Sequence, residues 1–307
     1  MVNERAVEEL LSRGVAEVIV KEKLREKLLS GERLRIKLGI DPTSPDLHIG
    51  RAVPLLKLRD FQQLGHQIVF IVGDFTAVIG DTSDKDSERP MLEYEVIEHN
   101  KKSYFEQAGK ILDLSQVEMR YNSEWLGPLT YREIGQHADL FSVSDFIARE
   151  NIAKRLQDGK RVSLREVLYP LMQGYDSVAM DIDVELCGTD QTFNALAGRT
   201  LQRDLRGKEK FVVTTTLLEN PVTKEKMMSK SLGTGVYLNE SAESMHAKIL
   251  QQPNENIVQL FTDCTYVAMD EIAKIRQAIE TEPGSAQLYK RQLAVEITRI
   301  YHPAFVA

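Results

Sequence analysis

The chain has 307 residues, 42% hydrophobic and 28% charged, the balance of an ordinary globular protein with room for one large domain and a smaller one. Its net charge of −7, from 39 basic and 46 acidic residues, restricts any nucleic-acid contact to a local basic patch. With no apolar run of about 18 residues, no secretion signal in MVNERAVEELLSRG, and neither disulfide nor zinc spacing between Cys187 and Cys264, the expected setting is the reducing cytoplasm.

Apolar residues at helical spacing from residue 3 to about 30 (Val7, Leu10, Leu11, then Val18, Val20, Leu24, Leu28 and Leu29) predict two short helices around Gly14. LRIKLGI (34–40) reads as a strand ending in the turn DPTSPD. LHIGRAVPLLKLRDFQQLG then reads as a helix closed by Gly65, and QIVFIVGD (67–74) as a buried strand. This βαβ unit implies a parallel sheet with a right-handed crossover. The stretch 86–165 is charge-rich and mostly helical, and it reads as an insertion. Alternation resumes with a helix near 165–180, strand VELC, helix TDQTFNALAGRTLQRDL and strand EKFVVTTTLL. From 236 onward every segment is helix-like, ending in the amphipathic QLYKRQLAVEITRIYH. The expected fold is α/β, a doubly wound parallel sheet over 1–235 with a helical insertion, followed by a small all-helical domain over 236–307.

In GIDPTSPDLHIGR (39–51) a first parallel strand feeds a helix, the position where such sheets bind phosphate. Asp46 is a candidate N-cap, and Pro42 and Pro45 stiffen the turn. His48 and Arg51 share one helix face, Gly50 lets a ring or sugar approach the backbone, and Arg51 has the geometry for bidentate phosphate contact. GxGxxG and GxxxxGK[ST] are both missing. In YPLMQGYD (169–176), Tyr169, Gln173 and Asp176 fall on one helix face suited to a small polar ligand, provided Pro170 starts or kinks the helix. In CGTDQ (187–191), Gly188 permits close backbone approach, and Thr189 or Asp190 can cap the next helix or, for Asp190, accept from a ribose. Asp81 either pairs with an amine or starts a turn. Each feature also has a plain alternative: a capped helix, a packed histidine or a solvated polar face.

With HIG at 48–50, GTDQ at 188–191 and MSKS at 228–231 in that order, the chain resembles the class I aminoacyl-tRNA synthetases, whose HIGH and KMSKS motifs flank a Rossmann-like active site. YPLMQGYD and DPTSPDLHIG resemble the bacterial tyrosyl-tRNA synthetases in particular, over residues 30 to 300. The resemblance implies ATP as substrate, with Mg²⁺ on its phosphates, held by Asp41, Thr43, His48, Gly50, Gly188, Asp190, Met228, Ser229, Lys230 and Ser231. It implies a tyrosine pocket of Lys37, Gly39, Asp81, Tyr169, Gln173, Asp176 and Gln191, with Asp81 on the substrate ammonium and Asp176 on the phenol hydroxyl. Lys37 stands where some members have a tyrosine. His48, Arg51 and Lys230 become the expected catalytic donors, tRNA(Tyr) and L-tyrosine the partners, and 86–165 the interface of a homodimer. The implied reaction forms tyrosyl-adenylate and pyrophosphate, then transfers tyrosine to the tRNA. No protein nucleophile is needed, so catalysis rests on positioning and charge stabilisation.

The chain departs from the motifs in three places: Arg51 replaces the second histidine of HIGH, Met227 the first lysine of KMSKS, and Cys187 a usual glycine. Members usually carry a further RNA-binding domain, which the resemblance implies is lacking after YHPAFVA. Three other readings compete. Tryptophanyl-tRNA synthetase shares the general motifs but not the tyrosine pocket. A catalytically impaired paralogue acting as an RNA-binding or regulatory protein would suit the altered motif ends. Another nucleotidyltransferase would leave YxxxQxxD without a role.

Overall fold

The computed structural model describes residues 3–82, 91–228 and 234–306. Its centre is a six-stranded sheet of order β1-β6-β5-β2-β3-β4, in which every neighbouring pair is parallel except β1 with β6.

The chain opens with α1 (Glu4–Leu10), β1 (Val15–Ile19) and α2 (Lys21–Ser30). The expected pair of helices is thus split by a strand. Gly14 turns the chain with φ +60°, and the β-branched run that follows pairs antiparallel with the sheet edge, Val18 opposite Val213. Helical spacing of apolar residues did not foresee a partner nearly two hundred residues away. Next come β2 (Arg35–Ile40), α3 (Ile49–Gln63), β3 (Gln67–Val72) and α4 (Asp74–Ile79), the predicted βαβ unit.

The intervening segment contains α5 (Tyr94–Lys101), α6 (Tyr104–Ala108), β4 (Val117–Tyr121), α7 (Ser123–Leu126), α8 (Tyr131–Ala138), α9 (Val143–Ile147) and α10 (Glu150–Gln157). It is not wholly an insertion of helices, because β4 joins the sheet parallel to β3. α11 (Leu164–Ala179), β5 (Val184–Gly188), α12 (Thr192–Arg206) and β6 (Phe211–Thr215) complete the α/β part. The last helices are α13 (Ala242–Leu250), α14 (Ile257–Cys264), α15 (Met269–Thr281) and α16 (Ser285–Tyr301). One apolar cluster runs from Leu55 and Leu58 of α3 into Leu260 of α14 and Leu293 of α16, so the terminal helices share the main core.

Two features of α11 position the site. Pro170 lies inside the helix rather than starting it. Its missing N–H frees the Glu166 carbonyl, which accepts instead from Arg149 Nη2 at 3.3 Å. Gly174 meets Gly198 of α12 so closely that a Cβ on Gly174 would lie 2.8 Å from the Gly198 nitrogen. Glycine at both positions lets the two helices touch backbone to backbone against the sheet.

Candidate active site

Strands β3 and β4 extend the sheet on one side of β2, and β5 and β6 on the other. The carboxyl ends of β2 and β5 therefore flank the topological switch point, where open α/β sheets place their ligands. A cleft of about 970 Å³ opens there. Lys37, Gly39, Asp41, Thr43, His48, Gly50, Arg51, Asp81, Tyr169, Gln173, Asp176, Gly188, Asp190, Gln191 and Met228 all line it. Ser229, Lys230 and Ser231 lie outside the described residues. A smaller cleft of about 460 Å³ beside α1 and α3 is different in kind. Its Arg13 donates to the Thr262 and Thr265 carbonyls, and its Lys57 donates to the Leu10 carbonyl, so those charges tie the N-terminal helix down.

At the start of α3 the N-cap is His48, not Asp46. His48 Nδ1 accepts from the Arg51 backbone N–H at 3.3 Å, which leaves the neutral ring's proton on Nε2. Burial lowers the His48 pKa to about 4, with the Arg51 charge acting the same way, so the ring is neutral at physiological pH. Asp46 accepts instead from Asn239 at 3.0 Å. The helix start is clamped by the segment 236–238: the Ile49 N–H donates to the Val236 carbonyl, and the Leu238 N–H to the Leu47 carbonyl. Tyr237 meets the His48 ring edge-on at 6.3 Å. Arg51 donates to the Asp41 carbonyl and to Thr43 Oγ1, each at 3.2 Å.

Asp41 keeps part of its surface open to the cleft while protein crowds its carboxyl. Burial raises its pKa to about 6, against hydrogen bonds from Thr76 (2.7 Å) and Tyr169 (2.8 Å). At β5, a Cβ on Gly188 would lie 2.5 Å from Asp190 Oδ1, so the glycine makes room for that carboxylate. Gln191 Nε2 donates to Asp81 at 2.7 Å and to Asp190 at 3.1 Å. α12 begins behind Gln191 without a side-chain cap.

The deeper end is a connected polar network. Asn194 donates to Gln191 and Gln173, and Gln173 donates to Glu185 at 3.0 Å. Lys37 forms a 3.0 Å ion pair with Glu185, and Lys210 pairs with the same carboxylate. Asp176 accepts from Trp125 Nε1 at 2.8 Å and from Asn122 at 3.5 Å. Burial raises the Asp176 pKa to about 7, and the Lys37 charge is the chief influence holding it down. Trp125, Asn122, Glu185, Lys210 and Tyr237 escaped the motif reading. Trp125 and Asn122 follow β4, whose place in the sheet no local pattern reveals. Glu185 and Lys37 had a readable signal: Glu185 is the one charge in VELCG, and Lys37 sits between Ile36 and Leu38 in RIKLGI.

Both methionines of KEKMMSKSLG are packed. Met228 is buried in the main core and Met227 packs against it. Met228 adopts φ +64°, a left-handed conformation uncommon outside glycine, at the end of a hairpin in which Glu219 bridges Lys226. Lys226 lines the cleft.

A neutral imidazole, a helix start with a guanidinium, a carboxylate at a strand end and a polar pocket meet at the switch point of a Rossmann-like α/β sheet. Over residues 29–307 the chain matches the family of class I tRNA synthetases (W and Y), and it belongs to that family. It is 43% identical over 301 residues to the tyrosine–tRNA ligase of Carboxydothermus hydrogenoformans, covering 96% of this chain and 72% of that one. It is 41% identical over 293 residues to the Thermotoga maritima tyrosine–tRNA ligase, covering 95% and 73%. The fold also matches the tyrosyl-tRNA synthetase of Archaeoglobus fulgidus solved with L-tyrosine, at TM-score 0.76 and 19% identity over 98% of this chain and 99% of that one. A C-terminally truncated Aspergillus nidulans mitochondrial tyrosyl-tRNA synthetase gives TM-score 0.78 at 21% identity, over 97% and 89%.

Proposed function

We propose that the protein is a tyrosine–tRNA ligase, activating L-tyrosine with ATP and passing it to tRNA(Tyr). The observation that carries this reading is the meeting, in one cleft, of the His48–Arg51 helix start with the Tyr169–Gln173–Asp176 face, in a chain more than 40% identical to tyrosine–tRNA ligases.

In the first step a tyrosine carboxylate oxygen attacks the α-phosphorus of ATP, and the bond to pyrophosphate breaks. His48 Nε2–H, the Arg51 guanidinium and Lys230 stabilise the charge developing on the phosphates. Asp190 and the backbone at Gly188 take the ribose, with Asp41, Thr43, Gly50, Met228, Ser229 and Ser231 completing the nucleotide site. Asp81 and Gln191 take the amino end of tyrosine, Gly39 and Tyr169 flank its path, and Asp176 accepts from its phenol. In the second step a terminal ribose hydroxyl of the tRNA attacks the acyl carbon and AMP departs. Among the described residues no three His, Cys, Asp or Glu side chains gather to hold a metal. Mg²⁺ would therefore ride on the ATP phosphates, supplying charge neutralisation there, in keeping with its preference for phosphate and water oxygens.

A homodimer through the middle segment is part of this reading. Tyr94, Tyr131, Val143 and Leu164 lie exposed there, Tyr131 at 95% and Val143 at 72%, apolar side chains that a second copy would cover. So is the assignment of 1–235 to catalysis and 236–307 to a helical domain. Among the described residues no helix is long and apolar enough to cross a membrane, and both cysteines are free and buried, which supports a cytoplasmic location. Tyrosine-dependent exchange of pyrophosphate into ATP, with tryptophan as control, is the test. Exchange with tyrosine alone is expected, and exchange with neither amino acid would return the impaired RNA-binding paralogue to the front.

A further inference from the structure

The floor of the pocket holds more charge than hydroxyl recognition needs. Lys37 of β2 and Glu185 of β5 are direct register partners, and Lys210 reaches the same carboxylate from just before β6. Lys37 and Glu185 are 1% exposed, Lys210 0% and Asp176 4%. Below about pH 8, to which burial lowers the Lys210 pKa, two ammonium groups against one carboxylate leave a positive charge unbalanced, and an unpaired buried charge costs several kcal/mol. Lys37 Nζ bonds Gln173 and Ser177 on the stretch of α11 that carries Asp176, and ionised Asp176 balances the remaining charge from the same end of the cleft.

Lys37 has no hydrogen to spare. Its ammonium has three donors, and they meet the Gln173 carbonyl at 3.1 Å, Ser177 Oγ at 3.1 Å and Glu185 Oε1 at 3.0 Å. Lys210 is equally confined. It donates to Ser177 Oγ at 3.0 Å and sits where a Cβ on Gly198 would come within 2.5 Å of its nitrogen. Asp176, by contrast, has two protein donors, Trp125 and Asn122, and a carboxylate offers about four acceptor sites.

We propose that Lys37, Glu185 and Lys210 form a buried charge relay that holds Asp176 as a carboxylate, and that this relay selects an aromatic amino acid whose para group donates a hydrogen bond. The inference rests on the tyrosine–tRNA ligase reading above. Glu185 and Lys210 are positioning residues: they act through Lys37 and Asp176. Lys37 works by its field rather than by a bond to the substrate. The charged or titratable groups around Asp176 are Lys37 from β2, Glu185 from β5, Lys210 before β6, Tyr169 from α11 itself, and Asp81 and Asp41 at the cleft. α4 contributes Asp74, which is engaged by Lys101 and Ser123. α7 and α12 offer the neutral Trp125 and Asn194. The acceptor form of Asp176 exists above its pKa and is lost as pH falls through it.

The test measures kcat and KM for tyrosine in ATP–pyrophosphate exchange from pH 6 to 9, with phenylalanine as a competitive inhibitor that lacks the hydroxyl. In Lys210→Met, Lys37 is left to Glu185 and Asp176 loses its counter-charge. The acid limb of the tyrosine KM profile moves up by about one pH unit, an approximately tenfold higher KM near pH 7 that recovers toward pH 9. The phenylalanine Ki and kcat stay near wild type. In Glu185→Gln, Lys37 is no longer shared and the limb moves to lower pH. Opposite shifts are the signature, because structural damage would move both variants the same way. If Glu185→Gln, which leaves two buried ammonium groups without their carboxylate, does not fold, Lys210→Met still decides by whether its acid limb moves up with the phenylalanine Ki unchanged. A KM rise equal at every pH, or matched by the phenylalanine Ki, overturns the relay while leaving the ligase reading intact. Absence of exchange in the wild-type protein overturns both.

Discussion

Replacing Tyr169 with phenylalanine removes one oxygen and keeps the ring, and it probes the join between the two halves of the cleft. The Tyr169 hydroxyl donates to Asp41 Oδ2 at 2.8 Å, across 128 residues of sequence. Burial raises the Asp41 pKa to about 6 from 3.8, and the Thr76 and Tyr169 hydrogen bonds oppose that rise. A carboxyl whose folded pKa is raised makes the native state bind its proton more tightly. Stability therefore falls as pH rises from about 4 through 6 and Asp41 ionises in the fold. Tyr169 offsets part of that fall. A hydrogen bond to a charged group contributes about 1.5–3 kcal/mol, and one to a neutral group about 0.5–1.5. Tyr169→Phe should cost about 2 kcal/mol at pH 8, where Asp41 is ionised, and about 1 kcal/mol at pH 5, where it is largely protonated. Urea midpoints at the two pH values measure the difference. An equal loss at both would refute Asp41 as the titrating partner, and no loss at either would refute the hydrogen bond.

Three further outcomes are expected. Gly188→Ala puts a Cβ 2.5 Å from Asp190 Oδ1 and 3.3 Å from Leu217, so the ATP KM should rise several-fold while the tyrosine KM moves little. Equal changes in both would mean that Asp190 does not serve the nucleotide. Glu166→Gln breaks a fully buried pair with Arg155 at 2.7 Å and weakens the bond from the Ser163 N–H that closes the first turn of α11. It should destabilise the protein by about 3–5 kcal/mol, read as a lower urea midpoint. Lys230→Ala should cost far more adenylate formation than Lys226→Ala in single-turnover assays; equal losses would mean that Lys226 shares the pyrophosphate.

Legibility followed distance along the chain. The β2–α3–β3 unit and the polar face of α11 are written in local periodicity, whereas the joining of their residues in one site was implied only by the resemblance to the tyrosyl-tRNA synthetases; the fold then brings fifteen of those residues to one cleft. Asp46 shows how a local rule fails: its type suits an N-cap, yet the clamp from 236–238 starts the helix two residues later and gives the cap to His48. Met227, a departure from the lysine of KMSKS, packs against the main core beside Met228, and a sequence does not tell which residues a hairpin turns inward.

Order, type and local face were therefore decided by the sequence itself: a strand feeding HIG, a tyrosine–glutamine–aspartate helix face, GTDQ at a strand end, and an all-helical tail. Only the tertiary structure decided which distant groups meet. It put β1 on the sheet edge, β4 beside β3, Trp125 on Asp176, and Lys210 on the carboxylate that Lys37 also holds. The physical reason is that periodicity reports only which side of an element faces inward. Register across strands and helix–helix approach set what is found there, and a buried charge reveals its purpose only once its counter-charges are in place.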